Sequence, residues 1–281
     1  MRILVTGAKG RLGSKLAACL SPQNHTVTPV DVDEMDLLDA DTVFATFEQV
    51  RPELVLHCAA LTAVDHCAEH PDEALAVNAF GTKHIALACQ RHAAPLLYIS
   101  TNEVFDGCAQ RPYLEYDTPR PVNAYGYSKW VGEQIVRELL PQHYIVRTSW
   151  LFAHGGRNFV QTVLRLAREG KSLRVVTNEV STPTYNDDLV DAIIQLINTG
   201  HFGTYHLVNE GYTTRYQFAR KVLDLAGMEN VSIEPIALSE FNRPSRPPEY
   251  AVIRNTAAAH LGIKLRPWED ALRAFMEIEH G

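Results

Sequence analysis

Apolar positions along the chain fall into two kinds of run. Short runs at Arg2 to Val5, His25 to Val30, Leu54 to His57, Pro95 to Ser100 and His143 to Arg147 fit buried parallel strands. Between them, apolar residues recur at three- and four-residue intervals over Ser14 to Leu20, Asp41 to Val50, Ala74 to Cys89 and Ala124 to Leu139, which predicts helices. Strand alternating with helix implies an α/β fold with a doubly wound parallel sheet. The alternation continues through a helix around Asn158 to Glu169, a strand at Leu173 to Val176 and a helix from Asp187 to Ile197. Beyond Gly203 it loosens into a strand at Tyr205 to Val208, a helix at Tyr216 to Ala226, the proline-rich stretch Asn242 to Pro248 and a helix around Trp268 to Ile278. This part reads as a smaller C-terminal α/β lobe.

Composition narrows the class of partner. The net charge of −7 and pI near 5.9 argue against nucleic acid or an anionic membrane, which need a basic face. No run approaches a membrane span, and glycine interrupts the opening apolar run too early for a signal peptide, so a soluble cytoplasmic protein is expected. The five cysteines, with no CxxC spacing, fit a reducing compartment without a disulfide framework. His66, Cys67 and His70 are read as an incidental cluster, and no metal is expected.

The first strand ends in Thr6-Gly7-Ala8-Lys9-Gly10-Arg11-Leu12-Gly13, directly before the first helical pattern. In a strand–turn–helix unit these glycines allow a tight turn at Gly7, approach of a pyrophosphate at Gly10, and close helix packing at Gly13. The fold expected is therefore Rossmann-like, with NAD(H) or NADP(H) as cofactor. Residues 1–150 would form the dinucleotide-binding domain, extended by about 173–200, with 151–172 and 201–281 in the smaller substrate lobe. Asp31, at the end of the second strand, can bind ribose hydroxyls and disfavours a 2′-phosphate, whereas Lys9 and Arg11 could pair with one. Asp36 and Leu37 pass beside the adenine, or serve only as a helix approach. Ala59 and Ala60 let the cofactor near the backbone, and Asn78 is either a satisfied core amide or a backbone bridge near the site.

Catalytic chemistry centres on Asn123-Ala124-Tyr125-Gly126-Tyr127-Ser128-Lys129. Tyr125 and Lys129 share a helix face at i and i+4, whereas Tyr127 points elsewhere. A phenol with a pKa near 10 needs about 4 kcal/mol of differential stabilisation to titrate near neutrality, which the Lys129 ammonium and a cofactor charge could supply together.

With Gly7, Gly10, Gly13, Asn78, Thr101, Tyr125 and Lys129, the chain resembles an extended short-chain dehydrogenase/reductase. Thr62-Ala63-Val64-Asp65, Ile99-Ser100-Thr101 with Val104-Phe105-Asp106-Gly107, Arg147 to Phe152, Arg157 to Val160, Leu173 to Val176 and Thr182 to Tyr185 are similar to segments of the dTDP-4-dehydrorhamnose reductase family. That resemblance implies hydride transfer from NAD(P)H to the C4 ketone of a nucleotide-linked deoxysugar. Tyr125 would donate the proton, Thr101 hold the carbonyl oxygen and Lys129 bind the nicotinamide ribose. Thr62, Val64, Asn102, Glu103 and Trp150 would face the sugar, with Phe152 and Asn158 at the thymidine end. A homodimer is the fold-level expectation.

The chain departs from the family pattern between Thr101 and Val104. An aspartate and a tyrosine are usual there, and Asn102 and Glu103 stand in their place. Lys15 also stands where some members carry an acid tied to magnesium. Two other readings are an epimerase, which would return the hydride to the same sugar, and a non-catalytic dinucleotide-binding regulatory subunit. The presence of Thr101, Tyr125 and Lys129 together favours the reductase.

Overall fold

The computed structural model describes residues 1–23, 25–156 and 158–280; Arg157, part of one family-like segment, lies outside them. The first half runs β1 (Arg2–Thr6), α1 (Arg11–Leu20), β2 (Thr26–Val30), α2 (Ala40–Val50), β3 (Leu54–His57), α3 (Val64–Glu69), α4 (Pro71–Leu75), α5 (Thr82–His92), β4 (Leu96–Thr101), α6 (Ala124–Leu139) and β5 (His143–Thr148). The second half runs β6 (Leu151–Phe152), α7 (Phe159–Arg168), β7 (Leu173–Val176), β8 (Val180–Ser181), β9 (Thr184–Tyr185), α8 (Asn186–Ile197), β10 (Gly203–His206), β11 (Thr213–Thr214), α9 (Arg215–Leu225), β12 (Ile233–Ile236), α10 (Ala257–His260) and α11 (Trp268–His280).

Six parallel strands form the main sheet in the order β10-β5-β4-β3-β1-β2, a Rossmann-like α/β arrangement. Its central strands are apolar on both faces because helices cover both. Ile3, Val5, Leu54, Leu56 and Val146 point to one side, against Leu12 and Leu16 of α1 and Leu189 and Ile193 of α8. Leu4, Val55, Tyr98 and Ile145 point to the other, against α2, α5 and α6. A third core gathers Phe152, Val160, Leu173, Phe218, Leu272 and Phe275 from the second half of the chain.

Two placements differ from the alternation read in the sequence. β7 is not a strand of the main sheet; it pairs in parallel with β12. Within it Leu173, Val175 and Val176 are buried while Arg174 is exposed beside Glu234 at 3.2 Å, so it suits a sheet with one open face. The strand expected at Tyr205 to Val208 lies two residues earlier, as β10 at Gly203–His206, and extends the main sheet beside β5. The long helix expected over Ala74 to Cys89 is interrupted by a π-helical turn at Ala76–Gly81, which carries Asn78.

Candidate active site

The glycine turn fits a dinucleotide. Gly7 has φ +66°, and a Cβ there would come within 2.6 Å of the Ala59 backbone nitrogen, so β1 and the β3 loop meet only because the residue is glycine. A Cβ on Gly13 would lie 2.4 Å from the Gly7 carbonyl oxygen. Gly10 is the N-cap of α1 and brings no side-chain cap, which leaves first-turn N–H groups available to an anion. Asp31 accepts from the backbone N–H of Lys9 at 2.8 Å and of Val32 at 2.9 Å, tying β2 to the turn. The Lys9 ammonium is held by Asp33, with Glu34 at 3.6 Å. Asp36 receives the Leu38 N–H, Leu37 packs under Gly81, and Asp39 caps α2.

Helix α6 begins where its cap dictates. The Asn123 side chain accepts from the Gly126 N–H at 2.8 Å. A Cβ on Gly126 would fall 2.0 Å from the Glu103 carbonyl oxygen, so this glycine allows α6 to approach the end of β4. Tyr125 and Thr101 are thereby brought within hydrogen-bonding reach. Lys129 lies one turn further on, 2% exposed, with its ammonium 4.1 Å from the centre of the Tyr98 ring. Glu133 follows after another turn. It receives two bonds from Arg147, at 2.8 and 2.7 Å, one from Ser100 at 2.6 Å, and an ion pair from Arg137 at 3.2 Å. Asn78 bridges this helix to the β3 loop: its amide donates to Ser128 Oγ at 2.9 Å and to the Leu61 carbonyl at 3.0 Å, and accepts from the Leu61 N–H at 2.8 Å.

Burial dominates the electrostatics of Tyr125 within the chain, whereas the expectation drawn from spacing joined Lys129 to a cofactor charge. The pKa of Tyr125 is raised in the ligand-free chain, first by burial and then by the Glu103 carboxylate, while the Thr101 hydroxyl pulls the other way. Burial pushes the Lys129 ammonium itself down to about 7 against the opposing pull of Glu133. Glu133 is held below the usual carboxylate range by Arg147, which overcomes its burial.

Two charged pairs join the second half of the chain to residues around the site. The Arg215 guanidinium lies 3.5 Å from the Trp150 ring centre and pairs with Glu179 at 3.2 Å. Trp150 has φ +40°, a strained conformation for a bulky side chain that aims its ring at this arginine. Arg243 reaches from the proline-rich loop to Asp65 at 2.8 Å.

The sequence profile of the RmlD substrate binding domain family matches residues 1–280. The chain belongs to that family. It is an NAD(P)-dependent reductase of the extended short-chain dehydrogenase/reductase type. Among its RmlD relatives, the spore coat polysaccharide biosynthesis protein SpsK of Bacillus subtilis is 36% identical over 98% of this chain and 97% of its own. A dTDP-4-dehydrorhamnose reductase of Mycolicibacterium smegmatis is 37% identical over 97% of this chain and 84% of its own. The crystal structure of dTDP-4-dehydrorhamnose reductase from Bacillus anthracis, in complex with NADP, superposes with a TM-score of 0.95 at 37% identity and covers 99% of both chains.

Within this RmlD chain, Thr101, Tyr125 and Lys129 converge at the C-terminal end of β4 and the first turns of α6, where open α/β sheets bind ligands. Tyr127 is exposed. Thr62 lies exposed on the loop entering α3, and Val64, half-buried, is the first residue of that helix. Asn102 is buried beside Thr101, whose hydroxyl donates to its amide oxygen at 3.3 Å. Its amide donates to Ser181 Oγ at 3.1 Å and the Ala251 carbonyl at 2.9 Å, joining β4 to the second half of the chain. Phe152, 1% exposed, stacks on Tyr185 inside the third core and has no face free for a ligand. Asn158 caps α7, accepting from Gln161 N–H and donating to the Ala153 carbonyl. Lys15 pairs with Asp187 at 2.8 Å. Sequence reading missed Glu133, Arg215 and the Asp65–Arg243 pair. Only Glu133 carried a signal, its place four residues after Lys129 on the same face.

Proposed function

We propose that this chain reduces the C4 ketone of a nucleotide-linked 4-keto-6-deoxysugar, with dTDP-4-dehydrorhamnose as the substrate and dTDP-rhamnose as the product. The observation that carries the reading is the approach of Thr101 and Tyr125 where the end of β4 meets the first turn of α6, one helical turn from Lys129. The relatives named as dTDP-4-dehydrorhamnose reductases support the choice of sugar.

Gly7, Lys9, Gly10, Arg11, Leu12 and Gly13 would hold the pyrophosphate side of NAD(P)H, with Asp31, Asp36, Leu37, Ala59, Ala60 and Asn78 around the rest. The reduced nicotinamide supplies a hydride to C4 when bound. Thr101 hydrogen-bonds the ketone oxygen and Tyr125 gives that oxygen a proton as negative charge develops. The raised pKa of Tyr125 keeps the proton on the phenol at neutral pH, the state a reduction needs. Lys129 binds the nicotinamide ribose, fixed in place by the turn below it. Thr62, Val64 and Trp150 face the sugar, and Arg215 stacked on Trp150 offers charge to the diphosphate.

The test follows absorbance of the reduced nicotinamide in the presence of purified protein, NADH or NADPH, and dTDP-4-keto-6-deoxyglucose before and after 3,5-epimerisation. Cofactor oxidation dependent on the epimerised sugar is expected. Binding of cofactor without oxidation by either sugar would refute the assignment and favour a non-catalytic dinucleotide-binding role.

A further inference from the structure

Glu103 adjoins the reacting groups, yet no step above uses it. Its backbone N–H donates to the Thr101 hydroxyl at 3.2 Å, and its carbonyl oxygen occupies the space that a Cβ on Gly126 would need. It is therefore wedged between the residue that holds the ketone oxygen and the helix turn that presents the proton donor. Its negative charge is felt by Tyr125.

The carboxylate is under-supplied with donors. Among the described residues one hydrogen bond reaches it, from Asn123 Nδ2 to Oε2 at 2.6 Å. The two nearby cations are paired elsewhere, Arg215 with Glu179 and Arg243 with Asp65, and act on Glu103 only through their fields. An ionised carboxylate offers about four acceptor positions, and the partly buried Glu103 side chain keeps acceptor capacity that Asn123 does not fill. Burial accordingly pushes its pKa above the usual carboxylate range.

A donor from the substrate would complete the shell. With the C4 oxygen between Thr101 and Tyr125, the residue whose backbone is wedged beside both, and whose carboxylate meets the Asn123 cap of α6, is placed to meet substituents on the adjoining ring carbons. On a 6-deoxysugar the substituent of C5 is a methyl group, which donates nothing, so the available donor is a hydroxyl on C3.

Resting on the reductase reading above, we propose that Glu103 determines sugar specificity, its Oε1 accepting a hydrogen bond from the C3 hydroxyl so that 3-hydroxy-4-keto sugars are preferred over 3-deoxy ones. A sugar lacking the hydroxyl leaves that acceptor position unfilled beside the reacting groups, and a site built to bond a hydroxyl rejects the analogue without it.

Two readouts test this with the full-length protein. In the first, kcat/KM is compared for dTDP-4-keto-6-deoxy sugars with and without the 3-hydroxyl, in parent, Glu103→Gln and Glu103→Leu. The parent is expected to prefer the hydroxylated sugar by about 10- to 100-fold, as for a hydrogen bond to a charged group. Glu103→Leu should bring the ratio close to one, and the nearly isosteric Glu103→Gln, whose amide oxygen still accepts, should fall between. In the second, calorimetry measures binding of the corresponding reduced sugar nucleotides to the same three proteins and needs no turnover. A preference unchanged in Glu103→Leu in these assays overturns the proposal. Absence of turnover with every 4-keto sugar, alongside a Glu103-dependent preference in binding, would sink the reductase reading and leave the Glu103 assignment standing. Sugar nucleotides bound by the parent without regard to the 3-hydroxyl, or not bound, would remove the Glu103 assignment, with turnover deciding the reductase reading separately.

Discussion

Substituting Glu133 by glutamine removes one negative charge from a fully buried site and leaves its volume unchanged. In the parent, Glu133 neutralises Arg147, itself buried and held 5.1 Å from the Phe105 ring centre, and draws in Arg137 at 3.2 Å. Glutamine keeps an acceptor for Ser100 or Arg147 but leaves the guanidinium without a counter-charge, a change that costs about 3–5 kcal/mol when a buried pair is broken from one side. For a chain of this size the melting temperature should fall by about 10 °C. The difference has a defined pH dependence. Because the folded-state pKa of Glu133 is depressed, its contribution is fully present above its unfolded value of 4.5 and is lost as pH falls through the lower folded value, so parent and variant should converge in acid. Glu133 also pulls the pKa of Lys129 upward against burial. If catalysis needs the ammonium, kcat/KM of the parent falls on the alkaline side of about 7, and in Glu133→Gln that limb moves to lower pH. Thermal unfolding from pH 3 to 8, with a kcat/KM profile on the same samples, checks both. A loss below about 1 kcal/mol at pH 7, or an alkaline limb that does not move, would refute the reasoning.

Three further outcomes are expected. Tyr125→Phe should abolish turnover while NAD(P)H binding, followed by fluorescence, stays within a few-fold of the parent; an active variant would remove Tyr125 as proton donor. Gly126→Ala should destabilise the protein by about 1–3 kcal/mol, since its Cβ would sit 2.0 Å from a backbone oxygen that must then shift, and kcat should fall as Tyr125 moves from Thr101; an unchanged melting temperature and kcat would contradict this. Because Asp31 braces the glycine turn and acids hold Lys9, NADH should bind at least as tightly as NADPH in direct titration. A strong NADPH preference would shift the selectivity to Lys9 and Arg11.

The helix face that carries Tyr125 and Lys129 was legible in the sequence because its geometry is local: an i, i+4 pair after an asparagine cap defines a helix face wherever the helix is placed. The helix from Ala124 to Leu139 matches its expected bounds for the same reason. The glycine turn was legible because strand, turn and helix follow one another directly. The strand at Leu173–Val176 was identified but not its partner, since a short apolar run records burial and not which edge it meets. The placement of Asn102 was hidden because its amide bonds residues 79 and 149 positions away. Arg243 and Asp65 are 178 positions apart, and neither carries a local pattern. The depressed pKa of Lys129 depends on burial supplied by several elements at once, so spacing with Tyr125 gave the neighbour but not the charge.

The crossing of strands between sheets limits how this protein can be taken apart. β10 completes the main sheet only after β7, β8 and β9 have been laid down in the smaller ones. A fragment ending near residue 150 would therefore expose the full hydrogen-bonding edge of β5, a template for aggregation. A graft of the C-terminal portion onto another dinucleotide-binding fragment would have to carry β10 with it and match the register Gly203↔Tyr144 through His206↔Arg147. Recombination among relatives should yield folded chimaeras when the exchanged block keeps β5 and β10 from one parent, and insoluble ones when the junction separates them.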